Sequence, residues 1–231
     1  MYSWIVLMAG LLTWYGFASR MRRSFRYADR WPPAKTILVL SGWLCTLTQL
    51  AILAWHLPIT LAATVGALVL YGLANLLFWS ALRTHGRDKP AFVFTEARPN
   101  SFRCTGPYRY IRHPLYTAYL LAWLAPPVAT GQWWLFALTA WMALLYTLAA
   151  WQEERAFARS PFAADYQRYR SYTGMFWPRP KTLLTNLVTW FVDKRYAPRP
   201  ASDAPGTCCL GPTMSTNQEQ NCEPSRHHDA A

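Results

Sequence analysis

Charge is scarce in this sequence, and acidic side chains are the scarcest of the charged types. Only 15% of its 231 residues are charged, with 11 acidic side chains against 23 basic ones. From Pro114 to Gln152, 39 residues in succession carry no formal charge. Three more uncharged runs cover residues 2–19, 36–55 and 57–82. Since about 20 helical residues span a hydrocarbon core of about 30 Å, these runs predict a membrane protein.

The 39-residue run predicts a helical hairpin. It is interrupted by Ala125-Pro126-Pro127 and by Gly131-Gln132. Residues 115–128 would form a short helix of about 21 Å, whereas residues 133–151 are long enough to span. We expect the turn at residues 125–132 to lie at the outer interface. With the first three runs, this gives an all-α, polytopic membrane protein of about five transmembrane helices.

Basic residues are missing from the turns at 56–58 and 126–132. Six basic residues lie at positions 20–35, seven lie at positions 83–112 and ten lie from position 155 onward. Because short cytoplasmic loops retain Lys and Arg, the N-terminus is predicted outside and the C-terminus in the cytoplasm of a cell or inner membrane. The net charge of +12 then faces anionic membrane lipid, so no nucleic-acid partner is needed to explain it.

The end of the chain has a different composition. Residues 201–231 are rich in small and polar types and are predicted to form a disordered cytoplasmic tail, whereas residues 1–200 form one integral membrane domain. No metal site is predicted, because the cysteines and histidines of the tail fit no standard zinc spacing. Within the spans, Gln49 and Asn75 are expected to hydrogen-bond between helices.

Ionisable residues stand at both ends of the predicted hairpin. Arg112 and His113 precede it, and Glu153 and Glu154 follow it. Because both ends of a hairpin return to one membrane face, the four side chains are expected to meet beside hydrocarbon, where such groups mark a functional site. Taken singly, each pair is an ordinary charged flank of a span.

The residues around these pairs follow a family pattern. The sequence reads Gly106-Pro107-Tyr108-Arg109-Tyr110-Ile111-Arg112-His113-Pro114-Leu115-Tyr116, then Glu153-Glu154, then Tyr166-Gln167-Arg168-Tyr169 and Thr173-Gly174-Met175-Phe176-Trp177-Pro178. Over about residues 75–180 this succession resembles the isoprenylcysteine carboxyl methyltransferase family, which is similar to the phospholipid N-methyltransferases. Two departures are Ala118, where the family usually has Gly, and Ser160-Pro161-Phe162-Ala163, where it usually has Phe-Gly.

The resemblance implies that S-adenosylmethionine is bound in a cytoplasmic pocket at the hairpin. The residues it implies for cofactor binding are Gly106, Tyr108, Arg109, His113, Tyr116, Glu153 and Glu154. Their chemistry fits: Arg109 or Arg112 can hold the cofactor carboxylate, and either glutamate can accept from ribose or ammonium. A tyrosine face can contact the sulfonium, and the tyrosines of 166–172 can roof the pocket.

Arg112 and Glu154 are the predicted catalytic residues. Arg112 would position a carboxylate acceptor, whereas Glu154 or His113 would take the proton from an amine or thiol. The acceptor is expected to be lipophilic or small and apolar, and a prenylcysteine-like carboxylate, a phospholipid amine and a thiol all remain open. Two rival functions are a membrane reductase of isoprenoids or steroids that uses NADPH and a non-catalytic lipid-binding module. Nothing resembling a nicotinamide fingerprint is present.

Overall fold

The computed structural model describes residues 2–24, 33–55, 58–85, 103–161 and 163–180, without the side chains of 21–24 and 85. These residues form six α-helices and no strand, which confirms the predicted all-α class. Most of the loop before the hairpin and the predicted tail lie outside the described residues. The helices are α1 (Tyr2–Ser24), α2 (Pro33–Trp55), α3 (Leu61–His85), α4 (Pro114–Thr130), α5 (Trp133–Ala158) and α6 (Ala163–Tyr172).

Among the described helices, three are long and apolar enough to cross a membrane: Pro33–Trp55, Leu61–Thr84 and Trp133–Ala158. Their outward faces carry large apolar side chains, with Leu44 68% and Leu76 69% exposed. Such faces are suited to lipid rather than to water. The chain is therefore an integral membrane protein. Five spans remain a prediction, since α1 and α4 are not among these three helices. The orientation of the termini also remains a prediction.

Helix α4 lies at the centre of the bundle, in contact with α1, α2, α3 and α5. One face of α4 consists of small residues, and these are almost completely buried against α3 and its neighbours. Small side chains let two helix backbones approach closely. This packing places the N-terminal end of α4 beside α3, at the end of the bundle that holds the site. The small residues are Ala118, Ala122, Ala125 and Ala129.

The predicted turn at residues 125–132 is wrong, because α4 continues through Pro126 and Pro127 to Thr130. A proline removes the bond from its nitrogen to the carbonyl four residues earlier, which for Pro127 is that of Trp123. The Thr139 hydroxyl of α5 donates to this carbonyl at 2.9 Å. A partner on the neighbouring helix thus satisfies the freed group, and only Gly131 and Gln132 remain as the turn.

Polar side chains link the helices inside the bundle. Asn75 Nδ2 donates to Thr13 Oγ1 at 2.8 Å, which joins α3 to α1. Gln49 Nε2 donates to Thr139 Oγ1 at 3.2 Å, which joins α2 to α5. Both bonds confirm the expectation that these two residues pair between helices.

Candidate active site

A short 3-10 turn, Gly106–Arg109, leads the chain towards α4. Gly106 has a φ of +56°, a conformation that favours glycine. A Cβ atom at this position would lie 2.5 Å from Thr84 Oγ1 of α3. The close approach of the turn to α3 therefore requires a glycine here.

The backbone of residues 110–113 pairs with that of residues 173–175. Ile111 and Gly174 form an isolated parallel bridge. The N–H of Arg112 donates to the Gly174 carbonyl at 2.8 Å, and a second backbone bond of 3.1 Å follows one residue further on. This pairing fixes the backbone that carries the predicted site residues just before α4 begins.

Arg112 and Glu154 form a buried ion pair. The Arg112 Nε donates to Glu154 Oε1 at 2.8 Å, and each side chain is only 5% exposed. The Arg112 Nη1 also donates to the carbonyl oxygen of Thr173. Because an unpaired charge at such a depth is costly, the pair holds the end of α5 against the segment before α4.

His113 lies between the two glutamates. Its Nε2 is 3.4 Å from Glu154 Oε1, and its Nδ1 is 3.5 Å from Glu153 Oε2. The Tyr116 hydroxyl donates to the other oxygen of Glu153, Oε1, at 2.5 Å. The His113 ring stacks on Tyr116 at a centroid distance of 5.4 Å, and Tyr116 stacks in turn on Tyr146 at 4.7 Å. These rings fix both the imidazole and the Glu153 carboxylate.

The surroundings of His113 favour its protonated form. Burial by itself lowers the pKa of the imidazole, but hydrogen bonds and charge from Glu153 and Glu154 outweigh burial and raise the pKa above its ordinary value. Burial also raises the pKa of Tyr108, and the nearby Tyr169 and Glu153 add to that rise. Tyr108 therefore stays neutral at physiological pH.

Helix α6 packs over the end of α5. Tyr166 stacks on Phe157 at a centroid distance of 4.5 Å, and the Tyr169 hydroxyl donates to the Tyr108 carbonyl at 2.6 Å. Arg170 Nε lies 3.2 Å from Glu154 Oε2. Between the end of α5, α6 and the segment after α6 is a cleft of about 280 Å³. Its polar lining consists of Glu154, Tyr166, Gln167, Arg170, Ser171 and Arg179.

A larger groove of about 550 Å³ lies between α2 and α5. Its walls are mostly apolar, and Gln152 and Arg155 line one part of it. Leu38 belongs both to this groove and to the buried cluster that contains Tyr116 and Tyr146. The groove therefore approaches the aromatic stack from the side of α2.

Comparison with known proteins identifies the hairpin region. Residues 59–165 match the family model of phospholipid methyltransferases. This segment is a domain of the phospholipid methyltransferase family. It runs from just before α3 to the start of α6 and includes both glutamates, so the resemblance seen in the sequence is confirmed.

Two curated relatives are methanethiol S-methyltransferases. Methanethiol S-methyltransferase 2 of Bradyrhizobium diazoefficiens is 39% identical over 110 residues, which are 48% of this chain and 39% of that protein. Methanethiol S-methyltransferase of Pseudomonas deceptionensis is 31% identical over 132 residues, or 57% of this chain and 45% of that protein. The chain thus spans less than half the length of the curated relatives it matches.

The family domain brings together five of the predicted site residues: Arg112, His113, Tyr116, Glu153 and Glu154. Tyr108 is buried behind them and is linked to α6 through Tyr169. Gly106 and Arg109 are exposed. Burial raises the pKa of Tyr172 on α6, and the positive charges of Arg109 and Arg168 partly offset that rise. The parts of all these residues in binding and catalysis remain predictions.

Arg170, Thr173 and Arg179 lie beyond the family domain and also contact the site. The sequence did not indicate them as site residues. Arg170 contacts Glu154, while Arg112 and Arg179 both donate to the carbonyl of Thr173. Arg170 follows Tyr166 by four residues, a spacing that puts both on one face of a helix. That spacing could have indicated Arg170. The role of the Thr173 carbonyl depends on tertiary structure alone.

Proposed function

We propose that this chain is a membrane methyltransferase that uses S-adenosylmethionine to methylate a small thiol or another small apolar acceptor. The observation that carries the proposal is the buried cluster of Arg112, His113, Glu153 and Glu154 within a phospholipid methyltransferase-family domain. The names of the two relatives support a thiol acceptor. The enzyme activity, the cofactor and the acceptor are all part of this proposal, since the chain aligns with only part of each relative.

The residues present suit the proposed cofactor. S-adenosylmethionine carries a carboxylate, an ammonium, ribose hydroxyls and a sulfonium, and the site offers arginines and glutamates that pair with such groups. Glu154 Oε2 is buried, and no donor among the described residues is directed at it with hydrogen-bond geometry. Arg170 Nε lies 3.2 Å from this oxygen, so Glu154 contributes negative charge to the cleft rather than a free acceptor. When bound, the cofactor supplies a methyl group that is activated for an in-line displacement.

Glu153 is the residue best placed to take a proton from a thiol. Its side chain is 33% exposed, whereas that of Glu154 is 5% exposed and already accepts from Arg112. Both ring nitrogens of His113 already contact the glutamates, at 3.4 and 3.5 Å, and this contact raises the pKa of the imidazole, so His113 is the less suited of the candidates. We therefore assign the base to Glu153, with Tyr116 and His113 orienting its carboxylate. Arg112 and Glu154 hold this arrangement in place.

The groove between α2 and α5 supplies a route for the acceptor. A small thiol partitions into hydrocarbon, and the walls of the groove include the exposed apolar side chains of Ile37, Leu148 and Trp151. Behind Leu38 lie Tyr116 and Tyr146, and Tyr116 contacts Glu153 directly. Entry at this place would bring an apolar acceptor to the proposed base while excluding water from the path.

The test is methyl transfer by the full-length chain purified in detergent. Protein is incubated with methyl-labelled S-adenosylmethionine and either methanethiol or a total lipid extract, and label is measured in the volatile and lipid fractions. Binding of S-adenosylhomocysteine and of NADPH is measured in parallel. We expect labelled dimethyl sulfide, binding of S-adenosylhomocysteine and no binding of NADPH.

Other outcomes select the rival functions. Label in the lipid fraction alone would replace the thiol by a phospholipid acceptor, as the family name suggests. Binding of NADPH alone would favour a reductase, and binding of neither compound would favour a lipid-binding module.

A further inference from the structure

The face of α5 that lines the groove between α2 and α5 changes character along the helix. Leu145 and Leu148 come first, Trp151 follows, and Arg155 lies one turn further on. Spacings of three and four residues keep these side chains on one side of a helix. A helix that leaves a membrane meets hydrocarbon, then the interface, then the headgroups, and apolar, tryptophan and basic residues suit these layers in turn. This face of α5 therefore matches a lipid molecule from its chain to its headgroup.

The opposite wall of the groove belongs to the first turns of α2. Ala34, Ile37 and Leu38 line it, and Ile37 is exposed. Leu148 and Trp151 are exposed on the facing side. The groove thus opens on the outer surface of the bundle, where lipid surrounds the protein. Its volume of about 550 Å³ lies within the range of about 300–1,000 Å³ that is typical of ligand-binding pockets.

Arg155 is the one charged side chain among the described residues that line the groove. It is exposed, and no ion pair in the described part of the chain uses it. The described walls of the groove therefore carry a net positive charge and no carboxylate. A headgroup with a net negative charge is complementary to such a site, whereas a zwitterionic headgroup would also bring a cation there.

The position of Arg155 along α5 agrees with the depth of a lipid phosphate. Four residues separate it from Trp151, which is about 6 Å along the helix axis. A bilayer of about 40–45 Å has a hydrocarbon core of about 30 Å, so each headgroup layer is about 5–8 Å thick. Because tryptophan side chains concentrate at the edge of the hydrocarbon, Arg155 lies at the level of the phosphates when Trp151 lies at that edge. Gln152, which also lines the groove, can donate to ester oxygens of the same lipid.

We propose that this groove binds an anionic phospholipid of the membrane, with one acyl chain between α2 and α5 and the headgroup phosphate on Arg155. This lipid site is separate from the proposed methyl transfer and does not depend on the identity of the acceptor. The bound lipid is not itself methylated. It forms part of the wall of the route proposed for a small apolar acceptor.

The headgroup contact is tested with two lipids that have the same acyl chains. Native mass spectrometry measures the binding of dioleoyl phosphatidylglycerol and of dioleoyl phosphatidylcholine to the full-length chain, purified in detergent and freed of lipid. The variant is Arg155→Gln. The matched control is Arg159→Gln, because Arg159 is exposed one turn further on and does not line the groove. We expect the wild type and the control to prefer phosphatidylglycerol about fivefold, as one basic residue near anionic lipid provides, and Arg155→Gln to bind the two lipids within about twofold.

The chain contact is tested by filling the groove. Ile37→Trp places a large side chain at an exposed position of its wall. We expect it to weaken both lipids at least about fivefold, because the loss of about ten atom contacts with the acyl chain has this effect. Leu44→Trp is the control, since Leu44 is exposed on the same helix but does not line the groove, and it should leave both affinities within about twofold.

Three results would overturn the lipid site. The first is a wild-type protein without a preference for phosphatidylglycerol. The second is a preference that survives Arg155→Gln or falls equally in Arg159→Gln, because the attraction would then come from the basic end of the bundle as a whole. The third is an unchanged affinity of Ile37→Trp for both lipids, which would place the bound lipid outside the groove.

Discussion

The charged residues of the site differ in burial, and this difference separates their roles. Glu154 is almost completely buried and is shared by Arg112, His113 and Arg170, whereas Glu153 is partly exposed. A carboxylate that neutralises the buried Arg112 is mainly a structural element, because removing it leaves that cation unpaired. A partly exposed carboxylate beside it can reach a ligand.

Substitution of the two glutamates should therefore give different results. Glu154→Gln leaves the buried Arg112 charge without its partner, and we expect a loss of about 3–5 kcal/mol of stability. Glu153→Gln should change the thermal midpoint little but lower the turnover of a thiol about 10²- to 10⁴-fold. Thermal unfolding in detergent and methyl transfer to methanethiol measure the two effects. Full turnover in Glu153→Gln would show that another group takes the proton.

The raised pKa of His113 gives a stability effect with a definite sign. A group whose pKa is higher in the folded state contributes fully below its unfolded pKa of about 6.5, and that contribution is lost as the pH rises through the folded pKa. The thermal midpoint of the wild type should therefore fall relative to that of His113→Gln as the pH is raised above about 6.5. Parallel profiles for the two proteins would contradict a raised pKa of His113 in the folded state.

Among the helices, α4 depends most on its neighbours. Its two internal prolines would weaken an isolated helix, yet it continues to Thr130 because Thr139 on α5 satisfies the Trp123 carbonyl. The pairing of residues 110–113 with residues 173–175 likewise depends on a distant part of the chain. The backbone N–H groups of each segment donate to carbonyls of the other. Both elements are products of long-range contacts.

The contact between α4 and α5 can be tested at Thr139. Thr139→Val removes both the donor to the Trp123 carbonyl and the acceptor of Gln49 Nε2, and should cost about 1–3 kcal/mol, as expected when buried polar groups lose their partner. Thr147→Val is the matched control, because the Thr147 hydroxyl donates at 2.7 Å to Ala143 of its own helix. Thermal unfolding in detergent measures both variants. An equal loss in the two would show that the interhelical bond has no special part.

The segment after α6 can be tested at Gly174. A Cβ atom there would lie 1.5 Å from the Trp177 carbonyl oxygen, so the segment that holds Arg112 must shift. We expect Gly174→Ala to lower the thermal midpoint and to weaken S-adenosylhomocysteine binding at least tenfold, since about 1.4 kcal/mol of lost positioning has this effect. Gly72→Ala is the control, because nothing lies within 4 Å of a Cβ atom at that position. Similar results for both variants would exclude a specific role for Gly174.

For the whole molecule, the decisive property is which membrane face carries the site. All 23 basic residues lie in segments that a five-span topology places on one side, and this predicts a cytoplasmic site. Reporter fusions after Ala231 and near Arg98 should both behave as cytoplasmic in intact cells. An exported signal from either fusion would refute this topology. A fusion in the turn at Gly131 should give the opposite signal and serves as the internal control.

The sequence alone determined the helical class, the membrane character and the meeting of Arg112 and His113 with the two glutamates. These follow from local rules: uncharged runs of sufficient length form helices in lipid, and the two ends of a hairpin return to one face. The family pattern reinforced them, because its residues stand at both ends of the same hairpin.

Only the tertiary structure decided how these residues divide their roles. The length of α4, the burial that separates Glu154 from Glu153 and the cleft formed by Arg170 and Arg179 depend on contacts between segments that are distant in the sequence. A pattern of residue types specifies which side chains can approach each other. It cannot specify which oxygen of a carboxylate is already occupied, because that depends on angles and distances that only the packed helices fix.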